Sequence, residues 1–134
     1  MTRLALMFFA LASCGPPPKQ PKLSVIQREV FSTSCAFSSC HGSAYSEARL
    51  DLRTGKSYAG MVGKPSEHEP TRVLVVPGDP DASYLIDKLF GTPVESAKKH
   101  EGHSDVMPPP EYGTLSDEWK AIIRAWIARG APND

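Results

Sequence analysis

Ser34-Cys35-Ala36-Phe37-Ser38-Ser39-Cys40-His41-Gly42 carries two of the chain's three cysteines, with a histidine directly after the second. The spacing of the two thiols decides how this stretch is wound. On a helix, residues three apart stand about 300° around the axis, and residues five apart about 500°, which is about 140°. A four-residue spacer therefore cannot present its thiols as a two-residue spacer does in the same backbone conformation. It has to bulge outward as a loop, which Ser38-Ser39 permits.

Toward the N-terminus, Ser24-Val25-Ile26-Gln27 reads as a capping box opening a helix, and Ile26, Val30 and Phe31 recur at helical spacing. This helix is expected to run into Cys35, loosening through Ser32-Thr33-Ser34, whose hydroxyls compete for backbone groups. Before it, Gly15-Pro16-Pro17-Pro18-Lys19-Gln20-Pro21-Lys22 makes an extended, proline-stiffened tether over 14–22. Met1-Thr2-Arg3 followed by apolar Leu4 to Ala12 is too short to span a hydrocarbon core about 30 Å thick. It reads as a secretory signal over 1–13. Its end, Leu11-Ala12-Ser13-Cys14, resembles the lipobox of bacterial lipoproteins, and that resemblance implies acylation of Cys14 and membrane attachment of the exported chain.

Toward the C-terminus, an irregular loop precedes a short helix from about Gly55 to Val62, with Met61 plugging a core gap. Lys64 to Arg72 is polar loop with His68 at the surface, and Val73 to Val76 is extended without implying a sheet. Asp79-Pro80-Asp81 signals a helix start, with Leu85, Ile86, Leu89 and Phe90 inward and Gly91 closing it. Thr92 to Tyr112 is loop, holding His100, His103 and Met107-Pro108-Pro109-Pro110. The last helix is the best specified: Ser116 caps it and Asp117 and Glu118 suit its dipole. Trp119, Ile122, Ile123, Trp126 and Ile127 form its apolar stripe, and Gly130 and Pro132 end it. The expected core is Ile26, Val30, Phe31, Leu85, Leu89, Trp119, Ile123 and Trp126.

With 134 residues there is room for one domain, 23–134, with a modest core, and 13 prolines argue for short helices joined by stiff loops. Fifteen basic and fifteen acidic side chains in no long run give no groove for nucleic acid. No nucleophile elbow, paired-carboxylate motif or phosphate loop points to an enzyme. In an exported chain Cys35 and Cys40 meet oxidising conditions.

Thiol, short spacer, thiol, histidine is the order that covalent haem attachment needs, although the usual spacer is two residues. The matching stretches are Ser39-Cys40-His41-Gly42, Val76-Pro77-Gly78-Asp79-Pro80 with Ser83-Tyr84-Leu85, Met107-Pro108-Pro109, and Trp126-Ile127-Ala128-Arg129-Gly130-Ala131-Pro132. In this order they resemble a class I c-type cytochrome, and more closely the small cytochrome-c-like domains of planctomycetes and myxobacteria. The resemblance implies a mainly α, cytochrome-c-like fold of three to four short helices with loops around one covalent haem c. It implies Cys35 and Cys40 as thioether anchors, His41 as proximal iron ligand and Met107 as distal ligand, with His100 or His103 as rivals to Met107. The implied role is single-electron transfer with redox proteins at a membrane surface. Two haem-free readings use the same residues. A Cys35–Cys40 disulfide would pin a turn in a structural or binding lipoprotein, and a zinc site would need a distant histidine.

Overall fold

The computed structural model describes residues 19–43, 47–92 and 106–134, and the expectations for Cys14, His100 and His103 lie outside them. The first helix opens as α1 (Leu23–Ile26) and continues in π-helical winding over Gln27–Cys35. The wider turn is visible at its end, where the Phe31 carbonyl accepts from the Ala36 amide, five residues on, at 2.7 Å. Thr33 Oγ1 donates to the Glu29 carbonyl at 2.7 Å, so a hydroxyl occupies an acceptor that a backbone amide would otherwise use. The serine-threonine run thus widens the helix without ending it, and Cys35 is its last residue.

The expected capping box does not form. Lys22 stands at the N-cap without a side-chain bond, and the first amides are taken by Asp134. Leu23 N donates to Asp134 Oδ1 at 3.0 Å and Ser24 N to the Asp134 carbonyl at 2.8 Å. Gln27, the expected partner of Ser24, lies on the apolar face beside Ile26, Val30 and Phe31 and is buried with them. Four α-helical segments and no strand occur among the described residues, so the chain is mainly α as expected.

α2 (Ser57–Met61) is short and buries Met61 completely, as a core plug should. The extended segment that follows makes isolated bridges, Val62 with Val75 and Pro65 with Val73. α3 (Tyr84–Phe90) begins later than Asp79-Pro80-Asp81 suggests. Asp79 Oδ1 does accept from the Ala82 amide at 3.0 Å, but the turn stops there. The first amides of α3 find other acceptors, Tyr84 N donating to the Val73 carbonyl and Leu85 N to the Leu74 carbonyl, both at 2.9 Å. An extended segment distant in sequence supplies the cap that the local aspartate was expected to provide. Gly91 closes α3 with φ 66, as expected. Phe90, expected inward, is half exposed, with Lys120 Nζ 5.1 Å from its ring centroid.

α4 (Asp117–Ala128) follows its sequence signals, with Ser116 Oγ accepting from Trp119 N at 3.4 Å and Gly130 at φ 96 after its end. Ile123, Trp126 and Ile127 are fully buried, while Trp119 and Ile122 pack half-buried at the margin. α4 packs against both α1 and α3. The core joins Ile26, Val30 and Phe31 to Leu52, Met61, Val75, Leu85, Leu89, Ile123 and Trp126. Seven of the eight residues expected there are buried, with Trp119 the exception. No described helix is long and apolar enough to cross a membrane.

Candidate functional site

The four-residue spacer does bulge, and two backbone hydrogen bonds close it. Cys40 N donates to the Phe37 carbonyl at 2.9 Å, and His41 N reaches back to the Cys35 carbonyl at 3.1 Å. The chain leaves the π-helical winding at Cys35, turns over Phe37–Cys40, and returns beside its starting point. Both thiols are free and half-buried. Burial, with the charge of the neighbouring Cys40, pushes the Cys35 thiol up to about 11. Phe37, inside the spacer, is 53% exposed.

Gly42 lets this loop close. A Cβ there would come within 2.6 Å of the Phe37 backbone carbonyl and would also meet the Ala36 carbonyl oxygen. Both obstacles are main chain, so no side-chain rotation would relieve them.

His41 is fixed at two points. Its carbonyl accepts from Leu52 N at 2.8 Å, and its Nδ1 lies 3.1 Å from the Leu50 carbonyl. A carbonyl can only accept, so Nδ1 carries a proton, and in the neutral form of the ring the lone pair lies on Nε2. This is the second contact by which proteins orient ligating histidines. The Leu50–Leu52 segment is itself anchored by the buried amide of Gln27. Gln27 Nε2 donates to the Leu52 carbonyl at 2.9 Å, and Ser57 Oγ donates to Gln27 Oε1 at 2.5 Å. Gln27, Leu50 and Ser57 thus belong to the site, although the sequence reading gave them no part in it. The available signal was a polar amide at position 27 flanked by apolar neighbours at helical spacing.

Beside the end of the first helix lies a cleft of about 80 Å³, lined by Ser34, Pro108, Tyr112, Gly113, Thr114 and Leu115. Ser34 precedes Cys35 and Pro108 follows Met107, so a neighbour of each candidate segment lines the same cleft. Met107 is half-buried, and its amide donates to the Lys88 carbonyl at 2.7 Å, tying its loop to α3. Tyr112 stands 75% exposed at the lip. His68 is half-buried on another loop.

The structure therefore brings Cys35, Cys40 and His41 into one closed loop and sets the Met107 segment at the neighbouring cleft. Among the described residues no three His, Cys, Asp or Glu side chains gather as a metal-binding group. The donor set, two thiols and an oriented imidazole in one loop with a methionine in the segment that runs into the cleft wall, fits haem c in its chemistry. In volume the cleft is much smaller than a porphyrin, so occupation requires the Pro108–Leu115 wall to stand farther from Ser34. No family model, curated protein or solved structure matches this chain.

Proposed function

We propose that the chain is a c-type cytochrome lipoprotein that passes single electrons at a membrane surface, with a cytochrome-c-like arrangement of its helices. The observation that carries this reading is the hydrogen bond from His41 Nδ1 to the Leu50 carbonyl, beside two thiols held in a closed loop. It puts a proton on Nδ1, the second contact that ligating histidines use, and in the neutral form of the ring Nε2 would be the nitrogen to meet a metal. Cys35 and Cys40 would hold haem c by thioether bonds, His41 would ligate the iron, and Met107 would supply the sixth ligand. When bound, the group would supply a one-electron ferric/ferrous couple, and ligation by a thioether and an imidazole would favour the ferrous state.

This chain's own residues do the rest. Gln27 holds the Leu50–Leu52 segment, whose Leu50 carbonyl in turn holds the imidazole. The Lys88 carbonyl holds the Met107 amide against α3, and three consecutive prolines restrict the backbone behind it. With the cleft wall standing farther from Ser34, Pro108 and Leu115 would offer a bound macrocycle apolar surface. Export by residues 1–13 and acylation of Cys14 complete the reading.

A second reading has its own support. The hydrogen bond from His41 N to the Cys35 carbonyl at 3.1 Å closes the loop and returns the chain beside Cys35 just after Cys40. Loss of two hydrogens would join the two thiols in a disulfide that pins the turn of a haem-free lipoprotein. The mass of the chain, exported by a host with haem-attachment machinery, separates the two. One added haem that survives denaturation is expected, and the bare polypeptide less two hydrogens selects the disulfide. In the haem-bearing chain, Met107→Ala is expected to lower the reduction potential and alter the visible spectrum. An unchanged spectrum transfers the sixth position to His100 or His103.

A further inference from the structure

One wall of the cleft, residues 108–112, is bonded to itself and not to the body of the domain. Pro108, Pro109 and Pro110 have no amide hydrogen to give. The backbone bonds of this stretch, Tyr112 N to the Pro109 carbonyl at 2.9 Å and Gly113 N to the Pro110 carbonyl at 3.2 Å, stay inside it. Among the described residues, none from 108 to 115 hydrogen-bonds to the rest of the domain. The nearest ties stand on either side, where Met107 N donates to the Lys88 carbonyl and Ser116 caps α4. Leu115 packs against the core, whereas residues 110–114 are exposed. Between the stiff stretch and that packed foot sits Gly113, with φ 98 and ψ 174, a region that only glycine occupies without strain. A Cβ there would meet nothing within 4 Å, so the glycine serves the backbone conformation and not a close approach.

We infer that residues 108–112 form a lid that pivots at Gly113 and opens the cleft to a porphyrin. The inference rests on the haem reading above, and it supplies the movement which that reading requires of a cleft of about 80 Å³. Swinging the lid breaks no hydrogen bond to the domain, and the three prolines with the two internal bonds carry it as one piece. Met107 lies just outside the lid and keeps its bond to the Lys88 carbonyl, so the proposed ligand stays tied to α3 while the wall beyond it moves. Leu115 stays on the core, and Ser34, on the first helix, is the fixed side against which the lid closes.

The test uses the full-length chain with Cys14→Ser, Cys35→Ser and Cys40→Ser, which cannot attach haem, and with Ser34→Cys as the one reporter thiol in the cleft lining. Its rate of alkylation by a bulky maleimide reads how much of the time the cleft stands open. Gly113→Ala denies the closed lid its unstrained backbone and is expected to speed alkylation about tenfold, the order that strain in this region carries. Gly55→Ala, at φ 78 with equally open space but outside the cleft lining, controls for general loosening and is expected to leave the rate unchanged. No acceleration in Gly113→Ala, or equal acceleration in both variants, overturns the lid. Uptake of protoporphyrin IX, followed by its fluorescence in the same chain without the reporter, is expected to quicken in Gly113→Ala alone. Faster alkylation with no porphyrin uptake overturns the lid as a porphyrin gate, and the mass of the exported parent chain, with or without haem, tells that failure from failure of the haem reading.

Discussion

A glycine and a thiol carry the most exposed parts of this account. Gly42 approaches the Ala36 and Phe37 backbone too closely for any side chain. Gly42→Ala must therefore open the Cys35–His41 loop, and its urea unfolding midpoint is expected to fall by the equivalent of about 1–3 kcal/mol, the usual cost of overpacking. An unchanged midpoint would mean that the loop is not closed as described. Cys35 gives a pH signature in the reduced, haem-free chain. Burial first, and the Cys40 charge second, raise its thiol from 9.0 to about 11. Between those values the folded chain holds a proton that the unfolded chain has lost, so stability falls as pH rises through that window. Urea midpoints measured across it should decline, and Cys35→Ala should flatten the decline. A slope that persists in Cys35→Ala would assign the effect to another group.

At the scale of elements, the first helix and the Leu50–Ser57 segment are joined through one buried amide. Gln27→Ala leaves the Leu52 carbonyl and the Ser57 hydroxyl without that partner, at a cost of about 1–3 kcal/mol. Haem loading is expected to fall with it, because Leu50 orients His41, whereas Arg28→Ala on the exposed side should alter neither. Equal loading of both variants would separate the Gln27 clamp from the site. The same residue marks where the sequence was readable. α4 was legible because its cap, dipole and apolar stripe are all local, and Ser116, Asp117, Ile123 and Trp126 stand where those rules put them. Gly91 and Met61 were legible for the same reason. Gln27 and Asp79 misled because each has a local role that a distant partner overrides: Asp134 caps the first helix, and Val73 and Leu74 take the first amides of α3. Of the site, the thiols, His41 and the need for a bulged spacer were plain from spacing. The Leu50 carbonyl was not, since a backbone acceptor leaves no trace in residue identity.

The whole molecule is closed by a long-range clasp, in which Asp134 receives the Leu23 amide and the Arg129 guanidinium while Arg129 also holds Pro21. Burial works against the Asp134 charge, but the Leu23 amide, Arg129 and Lys22 outweigh it and hold the carboxyl below the ordinary 3.8. Its contribution is therefore present in full above 3.8 and is lost as pH falls below that value. Asp134→Ala is expected to cost about 1 kcal/mol at neutral pH, as removal of a helix cap does, with a shallower decline in acid than the parent chain. An equally steep decline would place the acid-sensitive carboxylate elsewhere. The clasp sets where the first helix begins, and that helix delivers Cys35 to the loop in which Cys40 and His41 lie. The most direct measurement is the visible spectrum of the full-length chain, oxidised and reduced, after export in a host that attaches haem. An intense Soret band that sharpens and shifts on reduction and is lost in His41→Ala is the result predicted, whereas a colourless chain with its two sulfurs bonded to each other would contradict the account.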